Sequence, residues 1–284
     1  MDRDLFKLHA AIEHRHWWFV GRRRILAALV ERLVPAAGGL VVDVGCGTGA
    51  NVAALAGRYR AVGSDTSRDG IALARERHPE VRFVLGEAPA AIADDVAAAD
   101  VVMLTDVIEH VPDDFALVSR LLAAMKPGAH LLVTVPAHES LWSEHDVSFG
   151  HYRRYEAPRL AAVWEGLPVS VRLLSYFNAR LYPVVRSVRA LSRLRGRASG
   201  AAGTDFNVPA RPVNRALTSI FAGERTRLVA ALDAPLDGSS SLSRGSYGTG
   251  VSLVAALRRG DGVIGPRERG TRVPPDRHQP EPAA

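Results

Sequence analysis

The chain is poor in cysteine, in long apolar runs and in any signal for leaving the cell. Cys46 is the one cysteine in 284 residues, which excludes an intramolecular disulfide framework and fits a reducing compartment. No apolar run approaches the ~18 residues of a membrane-spanning helix. Met1-Asp-Arg-Asp4 lacks the basic start and apolar stretch of a signal peptide, so a cytoplasmic setting is expected. Internal repeats are absent, the arginines are scattered and no RNA-binding module is visible, so nucleic acid is not an expected partner. The dinucleotide fingerprint G-x-G-x-x-G is missing as well. The net charge of +6 rests mostly on arginine. It suits an anionic partner, but it is equally a mark of Arg- and Ala-rich coding and excludes little.

What the chain does have is an alternation. Apolar segments near 40–44, 60–64, 81–85, 100–105 and 130–135 read as strands, with helical patterns at 50–58, 67–77, 86–97 and 113–125 between them. Near-continuous apolar strands separated by helices predict a parallel sheet buried on both faces. A helix at 157–165 leads to a strand near 168–176, and Tyr247–Leu257 reads as a final strand. Residues 4–34 read as helical and carry His14, His16, Trp17, Trp18 and Phe19. Adjacent tryptophans point about 100° apart on a helix, so at most one can lie deep in a core. This segment is either a helix packed on the domain or an aromatic lid over the mouth of a site, with Arg22–Arg24 solvated or facing an anionic substrate. Between 180 and 197, Arg186, Arg189, Arg193 and Arg197 share one helical face, and Leu181, Val184, Val185, Val188 and Leu191 the other. That pattern fits a surface helix covering the core, or one lying on a membrane or an acidic partner. A further helix is predicted at 210–232 and a mobile loop at 238–248. A disordered, Pro-, Arg- and Gly-rich tail is predicted over 259–284.

The chain is organised around Val41-Val-Asp-Val-Gly-Cys-Gly-Thr-Gly-Ala-Asn51. Strand, tight turn and helix follow one another, with Asp43 ahead of three alternating glycines, Gly45, Gly47 and Gly49. Glycine opens backbone angles that other residues avoid and lets a ligand approach the main chain. This D-x-G-x-G-x-G run resembles motif I of the class I S-adenosylmethionine (SAM) methyltransferases. Asp106-Val-Ile-Glu-His-Val111 is similar to that family's D/E-x-x-E-H-V run. His16-Trp-Trp-Phe19, Trp142-Ser-Glu-His-Asp146 and Gly150-His-Tyr-Arg-Arg-Tyr155 resemble its bacterial type 11/12-like branch. The match covers most of 10–175. It implies an α/β, Rossmann-like fold: a seven-stranded, mostly parallel sheet with helices on both faces, ending in an antiparallel hairpin. It further implies an N-terminal helical lid (1–36) and a SAM-binding domain (37–258) with a helical insertion at about 177–246 before the last strand.

The resemblance also assigns residues. Asp43, Gly45, Cys46, Gly47 and Gly49 would face the methionine end of SAM. Asp65 and Thr66 would serve the ribose, because a carboxylate ending the second strand can accept from both hydroxyls. Gly86, Glu87 and Ala88 would grip adenine, and Thr105, Asp106 and Val107 would form the floor facing the donor methyl and the acceptor. His145, His151 and Tyr152, in the loop after the fifth strand, are candidates for a general base, with His145 preferred. Asp106, Glu109, His110 and His151 resemble the E-x-x-E-H and distal histidine set that holds a divalent metal in small-RNA 2′-O-methyltransferases. The expected activity is methyl transfer to a small-molecule or lipid-linked acceptor, most readily at oxygen, by a monomer or homodimer with room for peripheral membrane contact. A non-catalytic SAM-fold binding module and an NAD-dependent oxidoreductase are the alternatives.

Overall fold

Strands that are apolar on both faces need helices on both faces, and the connections supply them. The computed structural model describes residues 3–195, 207–236 and 242–264. It opens with α1 (Arg3–Ile12) and α2 (Trp17–Leu33). β1 (Leu40–Val44) passes through the glycine turn into a single-turn helix, α3 (Ala50–Ala53). Next come β2 (Arg60–Asp65), α4 (Arg68–Arg77), β3 (Arg82–Leu85), α5 (Ala93–Ala98) and β4 (Val101–Thr105). They are followed by α6 (Asp114–Ala124), β5 (His130–Pro136), α7 (Glu144–Phe149), α8 (Ala157–Ala161) and β6 (Val169–Phe177). Last are α9 (Tyr182–Arg195), α10 (Arg211–Ala222), α11 (Arg225–Ala231) and β7 (Ser252–Arg259).

The seven strands lie in the order β3-β2-β1-β4-β5-β7-β6. β1 to β5 are parallel, and β7 runs antiparallel to both β5 and β6. Every residue of β1, β4 and β5 is buried, as a doubly covered sheet requires. The strand order reverses between β1 and β4. In open α/β sheets the crevice outside the carboxyl ends of such strands is where ligands bind.

Local chemistry sets the helix starts. Ser67 accepts the Gly70 N–H to cap α4, with Asp69 in its first turn and Arg75 and Arg77 in its last. Asp113 caps α6 by accepting from Ala116. Ser143 and Asp146 form a capping box that starts α7.

Several expected boundaries are corrected. The N-terminal helix is broken over 13–16, where His16 becomes the cap of α2 and accepts the Trp18 N–H. The helix expected at 50–58 stops at Ala53 and continues as turns. The 210–232 helix breaks at Gly223–Glu224, because the Glu224 carboxylate turns inward to accept the Arg180 N–H. The loop expected to be mobile is packed where it is described. Leu242 and Ser243 are buried, and bridges join Leu236 to Ser243 and Tyr176 to Tyr247. Residues 237–241, Arg197 and the tail beyond 264 lie outside the described residues. No helix is long and apolar enough to cross a membrane, among the described residues.

Candidate active site

The glycine turn is built by hydrogen bonds that aim its backbone. Gly45 and Cys46 donate their N–H groups to the Ser64 carbonyl at 2.8 and 3.0 Å. Gly47 donates to Asp65 Oδ2 at 2.8 Å, and Ser67 donates to Asp65 Oδ1 at 2.8 Å. Each Asp65 oxygen keeps a lone pair for a further donor. Gly45 has φ 73°, and a Cβ there would lie 2.6 Å from Val107 Cγ2, so only glycine fits. The turn opens onto one large cavity of about 1140 Å³. Gly45, Cys46, Gly47, Asp65, Thr66, Gly86, Glu87, Ala88, Thr105, Asp106 and Val107 all line it.

Asp43 and Gly49 stand behind this wall. Gly49 (φ 82°) is covered by the Phe83 ring. Asp43 is fully buried, and neither carboxylate oxygen reaches a hydrogen-bond partner. Burial lifts its pKa to about 7 against the pull of Arg22. A carboxylate buried without a donor beside a glycine turn fits a site that receives a cation from its ligand. Cys46 is buried as well, and burial followed by the Asp43 and Asp65 charges drives its thiol far up, so it is a packed, unreactive side chain.

Of the two places expected for Arg22, solvent or a face toward substrate, burial excludes the first: Arg22 lines the cavity, donates to Asp106 Oδ2 and lies over the Trp18 ring at 4.4 Å. Burial brings its pKa down to about 10, with Asp43 opposing. Asp106, in the left-handed region at φ 58°, also accepts from Thr134 at 3.0 Å. The N-terminal helices therefore wall the cavity: Phe6, His9, His16, Trp17, Trp18 and Arg22 all line it. Both tryptophans are half-buried, while Phe19 beside them is buried. Glu13 fastens this layer to the glycine turn by accepting the Thr48 hydroxyl at 2.7 Å. Asn214 of α10 ties down its corner, accepting the Trp17 N–H at 3.0 Å and donating to the Arg15 carbonyl at 2.7 Å.

Of the three base candidates, His145 and His151 line the cavity and Tyr152 does not. The Tyr152 N–H caps the Glu109 carbonyl, and Arg153 lies over its ring. The His145 ring lies 4.5 Å from that of Phe149. His151 carries the buried carboxylate partner, its Nδ1 lying 2.8 Å from Asp146 Oδ1. Arg154 donates to both Asp146 oxygens at 2.9 and 3.0 Å, and the Ser143 N–H adds 2.9 Å. Burial alone would raise the Asp146 carboxyl, but the His151 hydrogen bond and the Arg154 charge hold it well below the carboxylate range. Sequence placed Asp146 and Arg154 in the motifs Trp142–Asp146 and Gly150–Tyr155, but only the fold pairs the Asp146 carboxylate with His151 and Arg154.

Glu109, His110 and His151 bring potential ligand atoms within 4.8 Å of one another. Asp106 stands outside this group, held by Arg22. Glu109 is fully buried with both oxygens unpartnered, and burial raises its pKa to about 8. Burial, followed by the neighbouring His151, lowers His110 to about 3.

Comparison with known proteins identifies the family of the chain. The methyltransferase domain family matches residues 18–181. The trans-aconitate 2-methyltransferase of Variovorax paradoxus (strain S110) is 36% identical over 118 residues, 40% of this chain and 45% of the relative. That of Paracidovorax citrulli (strain AAC00-1) is 31% identical over 173 residues, 59% of this chain and 65% of the relative. The chain thus spans between about half and two thirds of the length of these curated relatives. The solved complex between a Haloferax volcanii methyltransferase activator and a methyltransferase has a matching chain with TM-score 0.50 and 17% identity, covering 90% of this chain and 97% of that one, a likeness of fold.

Proposed function

The chain belongs to the class I SAM-dependent methyltransferases, and from that premise we propose that it methylates an oxygen of a small-molecule or lipid-linked acceptor, with His151 as the base. SAM supplies an electrophilic methyl on sulfur. The residues of the chain position the donor and acceptor, keep water out and accept a proton. Asp43 would hold the methionine ammonium, directly or through a water. Asp65 would accept from the ribose hydroxyls, and Gly86–Ala88 would border the adenine. Thr105–Val107 would form the floor between donor and acceptor. The layer 1–36 would close over both as a lid, and 177–246 would be an insertion of the same domain (37–258), since Ser243 accepts the Leu174 N–H of β6 and α11 packs on β6. In-line displacement needs alignment more than acid–base help, so most of the rate should come from this placement.

The observation that carries the oxygen reading is the bond from buried Asp146 to His151, which lines the cavity. With Nδ1 bonded to a carboxylate, Nε2 is left to take a proton from a hydroxyl. Assays should follow S-adenosylhomocysteine release with phenolic, aliphatic hydroxyl and carboxylate acceptors, trans-aconitate included because relatives are named for it. On a hydroxyl acceptor, His151→Gln should lower kcat by about 100-fold or more, with S-adenosylhomocysteine affinity kept. A carboxylate is already deprotonated and needs no base. Turnover of trans-aconitate unaffected by His151→Gln would replace the hydroxyl reading with carboxylate esterification.

One observation favours a second reading, in which Glu109, His110 and His151 hold a divalent ion that polarises the acceptor oxygen. The Glu109 carboxylate has no donor, and His151 is already oriented by Asp146, as metal-bound histidines usually are. Metal analysis of protein purified without a polyhistidine tag decides it. Full activity in metal-free protein would remove this reading.

A further inference from the structure

One wall of the cavity is unused by the roles assigned so far. β6 ends at Phe177, and the chain turns at Asn178 with φ 53°, a left-handed conformation that asparagine tolerates better than most residues. The Asn178 side chain is 1% exposed and lines the cavity, and neither its amide oxygen nor its amide nitrogen meets a partner. The turn itself is fixed. The buried Glu224 carboxylate accepts the Arg180 N–H at 2.8 Å and is further favoured by the backbone N–H groups of Asn178 and Ala179. The backbone at this turn is therefore fixed, and beside the cavity stands a buried amide with its donors and acceptor unpartnered.

Beyond Asn178 the wall turns apolar. Leu181, Val184, Val185 and Val188 line the same cavity from α9. Val184 and Val188 are 58% and 48% exposed, an unusual position for two valines on one helix face. Arg189, next along this helix, donates to the Leu141 carbonyl. An unpaired buried amide and a continuous apolar stripe in one cavity ask for a single ligand with both characters.

Building on the methyl-transfer reading, we infer that the acceptor is an amphiphile whose polar group is bound by Asn178 and whose apolar chain lies along Leu181, Val184, Val185 and Val188. A small polyacid leaves the stripe in water; an alkyl or isoprenoid chain covers it.

The test uses the full chain saturated with S-adenosylhomocysteine and reads binding by displacement of a dansyl-labelled fatty acid. Butanoate, octanoate and dodecanoate serve as probes, with trans-aconitate as the small polyacid. Affinity should rise at least about tenfold with each added four methylenes, since each buried methylene contributes a several-fold gain. Val184→Asp with Val188→Asp should flatten that series while S-adenosylhomocysteine still binds as in the parent. Asn178→Gly, which keeps the left-handed backbone open and removes the amide, should weaken all three probes by a similar factor, about three- to tenfold. A flat series in the parent protein, or trans-aconitate binding as tightly as dodecanoate, overturns the inference. So does a series unchanged by the double aspartate variant. Failure to bind S-adenosylhomocysteine at all would instead remove the methyl-transfer reading beneath it.

Discussion

Asp43, one residue before the end of β1, is a fully buried acid, and its titration follows from that position. With its pKa lifted from 3.8 to about 7, the unliganded protein keeps the carboxyl largely protonated in mildly acid solution. In the free protein this contributes stability that is complete below the unfolded value and is lost as pH rises through about 7. A ligand ammonium reverses the balance by favouring the charged carboxylate, so binding should expel a proton. S-adenosylhomocysteine affinity should therefore climb between about pH 6 and pH 7 and level off above. Calorimetry in buffers of different ionisation enthalpy should register the released proton. Asp43→Asn should weaken binding by about tenfold or more at pH 7.5 and abolish both the climb and the proton release, because the charged partner is gone. Affinity independent of pH in the parent protein would show that Asp43 does not meet the ammonium. Arg22 does not stand in for the ligand ammonium, because its guanidinium donates to Asp106 and lies over the Trp18 ring.

At the scale of elements, the decisive contact outside the sheet is α2 against α10. Gly21 faces the Phe221 ring so closely that an added Cβ would lie 2.6 Å from Phe221 Cδ1. Phe221 in turn packs against Trp17 at 5.9 Å and Phe177 at 5.8 Å. Gly21→Ala should wedge these helices apart and cost about 1–3 kcal/mol, a fall in Tm of about 2–5 °C. Because α2 carries Trp18 and Arg22, acceptor turnover should suffer more than S-adenosylhomocysteine binding. An unchanged melting curve would refute the contact. Nothing in Gly21 as a letter announces this neighbour, and that marks the limit of reading by sequence. β1 to β5 were legible because a doubly buried parallel strand leaves an apolar run with turn residues at each end. The glycine turn was legible because Gly45 and Asp65 are required by local geometry. Arg22, Asn178 and the His151–Asp146 pair were not: Arg22 meets Asp106 across 84 residues, Asn178 is marked only by burial without a partner, and His151 and Asp146, five residues apart, gain their roles from burial. The break at Gly223–Glu224 was missed for the same reason. Glu224 leaves the helical pattern to cap Arg180, across 44 residues.

At the scale of the molecule, one cavity joins segments far apart in the sequence. Residues of α1 and α2, the glycine turn, the β4 exit, the 145–154 loop and α9 all reach it. The matched family region, 18–181, contains the glycine turn and the β4 exit, while α9 and α10, proposed to wall and clamp the acceptor, lie wholly beyond it. A ligand bound by the donor side alone should therefore stiffen segments distant in sequence. At S-adenosylhomocysteine concentrations about 100 times Kd, linkage adds about 2.7 kcal/mol to stability. For a chain of this size that corresponds to a rise in Tm of about 5–10 °C. Hydrogen exchange should slow together in the turn after β1 and in α1 and the start of α2, because Glu13 bonds Thr48 and Arg22 bonds Asp106 across that boundary. α9 should stay unprotected until an acceptor-like amphiphile is added, since its valines face the cavity without touching the turn. Protection confined to the glycine turn would mean that the N-terminal helices close independently of the donor. Protection of α9 by the donor product alone would mean that the two halves of the cavity are already coupled before the acceptor arrives.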